Sequence, residues 1–193
     1  MFLELSKLNE IWRENNLVVD IKEVCTILAK YNKLTNKDMI KILETVDSEK
    51  LIEDLGSYYE SIMGVLTHHL QADIGWLRVL GSNVSYLHFV LPLLERFPTE
   101  RLSPGQLYWT SLDDYKTVRY EVDDILERVI SSLPSSEYSS TITVEGRRGK
   151  FDYIIWRIFL HLFNHHTHHR GSISVLLDQL KIENDYSNLL WKV

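Results

Sequence analysis

FDYIIWRIFLHLFNHHTHHRGSISVLLDQL, residues 151–180, combines a helical apolar repeat with five of the chain's eight histidines. With about 100° per residue and His165 set at zero, Phe151, Ile154, Ile158, Leu162, His169, Ser172, Leu176 and Leu180 all fall within about 60°. The apolar stripe therefore runs into His165 and His169 and continues beyond them. His161 lies about 40° to the other side and His168 about 60°, while His166 and Arg170 point away at about 100° and 140°. One long helix over 151–180 is expected, with two imidazoles at i and i+4 on its core-facing side.

That pair has a chemical meaning. Neighbouring imidazoles one turn apart can both bind one metal ion. Buried without a strong partner they would be poorly satisfied polar groups. A lone core-facing histidine is more often a hydrogen-bonded structural residue, and a pair from one helix leaves a labile site unless another helix supplies a third ligand.

Working outward, the rest of the chain is also punctuated as helices. It has 193 residues with only 8 Gly and 4 Pro, enough length for a single domain with a sizeable core. Residues 3–15 read as a short amphipathic helix, and residues 1–25 as an N-terminal extension of one domain spanning 1–193. A long helix is expected over about 20–46, with a possible weak point at Thr35 to Asp38. A second is expected over 58–80, entered through Gly56-Ser57 and closed by Gly81-Ser82-Asn83. Pro92, Pro98 and Pro104 break up a connector over 82–112, whose middle can hold a short helix. A third long helix covers 113–133 and stops at Pro134. The β-branched run Thr141-Ile142-Thr143-Val144 before a glycine-bounded turn reads as a small hairpin or extended insert. The expected class is all-α: a four-helix bundle with crossover connections.

Composition excludes several functions. The net charge is −6 with no basic stripe, so nucleic-acid binding is not expected, because phosphate neutralisation supplies most of that affinity. No stretch approaches a membrane span, and the N-terminus lacks the pattern of a signal peptide. The single cysteine, Cys25, sits among Val24, Ile27 and Leu28 and reads as a small buried hydrophobe. A cytoplasmic protein is expected.

Outside the last helix the histidines are His68, His69 and His88. His88 falls in the connector. His68 shares a helix face with Ser61, Val65, Ala72, Gly75 and Val79, small residues that allow close helix approach. His69 points about 100° away. Packing favours His68, but periodicity alone leaves both open.

Three stretches resemble the DinB family of metal-binding bundles: Tyr31-Asn32 with Asn36; GSYYESIMGVLTHHLQADIGWL, residues 56–77; and HLFNHHTHHRGSI, residues 161–173. The last, ending in HxxxHRG, is the specific one. By position, the resemblance implies a divalent metal held by His68, His165 and His169 with one coordination position open. It also implies a four-helix bundle, commonly a homodimer, and a reaction of the thiol S-transferase type using a low-molecular-weight thiol and a small-molecule substrate. Three imidazoles suit Zn, Ni, Fe or Co, with Mn also possible. A metal-dependent hydrolase and a non-catalytic, metal-stabilised bundle serving assembly are the alternatives. HExxH is absent. Asp73, Glu60 and His161 are candidates to support the ligand rings, with His161 also a possible fourth ligand.

Overall fold

The computed structural model describes residues 19–193 apart from 147 and 148. The helix expected over 3–15 lies outside the described residues. Four long helices form the body: α1 (Ile21–Leu43), α3 (Ile62–Asn83), α5 (Leu112–Ser132) and α6 (Ile155–Gln179). Two short helices, α2 (Ser48–Ile52) and α4 (Val90–Leu94), sit in the connections, and the strands β1 (Thr141–Gly146) and β2 (Gly149–Ile154) precede α6. No described helix is long and apolar enough to cross a membrane.

Helix α1 lies along α5, and α3 lies along α6; further contacts of α1 with α6 and of α3 with α5 close the bundle. Both crossovers follow from this pairing, since neither α1 and α3 nor α5 and α6 are the principal partners. Much of the core between them is apolar, with Met39, Leu66, Leu70, Leu77, Leu126 and Phe159 essentially inaccessible. Cys25 is buried in it as expected, and burial raises its thiol to about 11, so it is inert.

Helix starts follow side-chain caps. Asp20 accepts from the Lys22 amide, Ser61 from Gly64 and Ser111 from Asp114. Helix α1 runs unbroken through Thr35 and Asn36, both buried, so the expected weak point is absent. Helix α3 starts at Ile62 rather than Tyr58, because Glu60 takes a left-handed φ of 64° and Ser61 is the cap. That turn folds the Tyr59 carbonyl onto Gly64, where a Cβ would lie 2.0 Å from the oxygen. Only glycine fits there. At its other end α3 passes through Gly81 to Asn83, the missing side chain letting Leu91 pack close.

The start of the last helix is the main correction to the sequence reading. Residues 151–154 belong to β2, paired antiparallel with β1 so that Val144 faces Phe151 and Ile142 faces Tyr153. Phe-Asp-Tyr-Ile fits a two-residue period as well as a helical one, and the β-branched partner Thr141–Val144 decides between them. Gly149, at φ 116°, makes the turn.

Candidate metal centre

The close pairing of α3 with α6 brings His68 to His165 and His169. The Nε2 atom of His165 lies 3.2 Å from that of His68 and 3.0 Å from that of His169. His169 is buried, and His68 and His165 are half-buried. The strained turn before α3 lays the Tyr59 ring on His68, stacked at 4.3 Å between centroids. Burial pulls all three imidazoles below their ordinary value, to about 4 for His68 and about 3 for His169, with the charge of neighbouring histidines as a smaller cause. They are therefore neutral at pH 7.

Each neutral ring carries a single proton, which serves either its Nε2 contact or its Nδ1 side. If each Nδ1 is protonated, three Nε2 lone pairs face one another. If Nε2 protons fill that space, the buried Nδ1 atoms of His165 and His169, which have no partner among the described residues, are left unsatisfied. A cation bound to the three Nε2 atoms removes that lone-pair conflict, so the donor set fits a divalent metal.

Behind this trio lies a buried polar network. His166 Nε2 is 2.6 Å from Asp73 Oδ1, and its Nδ1 contacts Asn32 Oδ1. Arg119 donates to Asp73 at 2.5 Å and to Asp123 at 2.9 Å, and Asn36 donates to both Asp123 oxygens. Arg170 donates to Asn32 Oδ1. The Asn32 amide also donates to Asp123 at 3.4 Å, which fixes which way it faces. Burial raises the Asp73 carboxyl, but His166 and Arg119 outweigh it and bring it to about 2. Burial pulls His166 down while Asp73 pulls it up. Hydrogen bonding decides: both ring nitrogens face fixed acceptors, so each holds a proton and the ring pairs with an ionised Asp73.

This corrects the wheel. His166 and Arg170, expected to point outward, are 0% and 3% exposed. Helix α6 is covered by α3 on one side and α1 on another. A wheel anchored on the apolar stripe assigns the second covered face to solvent, because that face is lined with charge that the network satisfies. Asp73 bonds His166 rather than a ring of the trio. Glu60 is exposed, its carboxylate over Gly105. His161 is exposed and packs edge-on to Trp76 at 5.6 Å, with its ring 6.0 Å from that of His165. His88 is exposed in the connector.

Two groups among the described residues bring three ligand-type atoms within 4.8 Å of one another: His68, His165 and His169, and, fully buried behind them, His69, Asp73 and His166. Asp73 and His166 are already bonded to Arg119 and Asn32. The first trio is different because it opens on a cleft of about 1250 Å³. Trp76 and Val79 of α3 form one wall, Val144, Phe151 and Tyr153 of the hairpin another, and Thr99 and Arg101 of the connector reach the rim. Val144 and Phe151 form a cross-strand pair, and Tyr153 lies two residues on along the same face. The sequence reading leaves the connector free to cover the site but gives the hairpin no part in it; the alternation of Phe151 and Tyr153 opposite Val144 is the available signal.

The helical bundle agrees with comparisons to known proteins. The DinB family profile matches residues 19–191. Over 158 residues the chain is 25% identical to the protein named DinB of Bacillus subtilis (strain 168), covering 79% of this chain and 83% of that protein. Bundle, buried metal-compatible histidines and a match over nearly its whole length agree: the chain belongs to the DinB family.

Proposed function

We propose that this protein is a metal-dependent enzyme that holds one divalent ion on the Nε2 atoms of His68, His165 and His169 and transfers the sulfur of a low-molecular-weight thiol to a small electrophile. The observation that carries the reading is the convergence of three neutral imidazole nitrogens at the floor of an open cleft. A divalent ion with three neutral ligands and one free position keeps a thiol ionised at neutral pH. Zn, Ni, Fe, Co and Mn all accept such ligands.

The chain's own residues supply the rest. Burial keeps the imidazoles unprotonated, so their lone pairs are available without a competing proton. Tyr59, stacked on His68, holds that ring in place. Trp76, Tyr153 and Phe151 give the cleft an apolar wall that excludes water around a reacting carbon. In the transfer, the thiolate sulfur forms a bond to that carbon while the leaving group departs with its electron pair. Among the described residues the cleft lining holds no Asp or Glu, which favours an ionised thiol over a carboxylate-activated water as nucleophile.

Metal analysis of the untagged protein, followed by cobalt substitution and titration with thiols, tests this. A thiolate-to-cobalt absorption band, with the bundle still folded after chelation, is the expected result. If chelation melts the bundle and no thiol perturbs the cobalt spectrum, the ion is structural.

A further inference from the structure

The cleft carries an electrostatic bias that the metal reading does not use. The chain is acidic overall, at −6, yet no carboxylate lines the cleft among the described residues, and Arg101 does. Arg101 is exposed and makes no ion pair with the described residues. Neutral imidazole ligands leave the full charge of a divalent ion uncompensated, so ion and guanidinium would together present positive charge at two points of one cleft.

The segment that carries Arg101 is tied down. Arg78 on α3 donates to the carbonyls of Leu94, Phe97 and Pro98 at 2.7, 2.7 and 2.8 Å. The Glu100 carbonyl accepts from Gln71, also on α3, and from the Tyr108 hydroxyl. The backbone on the N-terminal side of Arg101 is therefore fixed to the same helix that carries His68. An arginine held this way, facing a cleft without an acidic partner, suits a bidentate anion, and the apolar walls suit a body that is not itself highly charged.

We infer that Arg101 is a specificity-determining residue that pairs with a carboxylate on the small molecule whose other end reaches the histidine centre. The inference rests on the metal reading above. Its test compares mercaptopropionate with mercaptopropanol, which share a thiol and chain length and differ in the carboxylate. Each is titrated into the cobalt-loaded protein and followed by the thiolate-to-cobalt band. The wild type should bind the acid about tenfold more tightly, the scale of one charge-assisted pair at a partly exposed site. Arg101→Gln should bring the two thiols to within about twofold, and Arg101→Lys should restore part of the preference. Thermal unfolding of both variants should match wild type, since the side chain is exposed. Equal binding of the two thiols by the wild type, or a preference that survives in Arg101→Gln, overturns the inference while leaving the metal reading intact. A protein that takes up no cobalt overturns the metal reading, and the inference with it.

Discussion

His68 on α3 and His165 on α6 are 97 residues apart in sequence, and their Nε2 atoms are 3.2 Å apart in space. With His169 one turn further along α6, they make a nitrogen cluster that neither helix contains alone. His68→Ala, His165→Ala and His169→Ala should each lose stoichiometric metal, because two imidazoles leave a labile site. His88→Ala, exposed in the connector, should keep it. Elemental analysis of the purified variants decides, and full metal content in His68→Ala would sink the three-ligand assignment.

The buried network behind the trio sets a separate expectation. Arg119 is fully buried between Asp73 and Asp123. Arg119→Met removes the cation between two buried carboxylates, leaving Asp123 without an ion-pair partner, and should destabilise the protein by about 3–5 kcal/mol, read as a lowered urea midpoint. His166→Ala should be destabilising for the same reason, while the molecules that remain folded still take up metal. A near-neutral effect of both changes would show that the network adds no net stability.

Acid should weaken the metal-free protein. Above about pH 6.5 the imidazoles of His68, His165 and His169 are neutral in both folded and unfolded chains. Below it the unfolded chain takes up protons that the folded site refuses until about 4 at His68 and about 3 at His169. The unfolded state then binds more protons, so stability falls as the pH drops from about 6.5 toward about 4. Urea midpoints of the chelated protein across that range measure it, and His169→Phe should flatten the slope. A midpoint independent of pH would contradict the cited depressions.

Arg78 gives the connector its shape by donating to three carbonyls. Arg78→Met should cost about 1–3 kcal/mol, since partly buried carbonyls lose a charged donor. It should also speed amide exchange over residues 94–101 more than in the long helices. Hydrogen-exchange mass spectrometry distinguishes this local loosening from a uniform loss of stability.

Much of this was legible in the residues. Periodicity located the four long helices, Pro134 marked the end of α5, and the β-branched run announced the hairpin. The wheel put His165 and His169 on the core side, whereas the small residues beside His68, read as a face for close helix approach, line the open cleft: Gly75 has nothing within 4 Å of where a Cβ would stand. Where the reading failed, two local signals competed. Phe151 to Ile154 satisfied both helix and strand periods, and only the cross-strand partner 141–144 resolved them. Glu60 and Ser61 moved the start of α3 because a left-handed turn and a cap outweighed the earlier Gly56-Ser57 pair.

His166, Arg170 and Asp73 mark the boundary of what a sequence can say about this chain. Local periodicity and side-chain chemistry determine which residues form helices and which face of each is apolar. Whether a polar face is solvated or buried depends on partners distant in sequence: Asn32 and Asn36 on α1, Arg119 and Asp123 on α5. These groups satisfy one another only after the helices pack. The same packing decides that Trp76, the hairpin and Arg101 enclose one cleft over the histidines. Hydrogen-bond complementarity between separate elements is a property of their meeting, so it appears only in the tertiary structure.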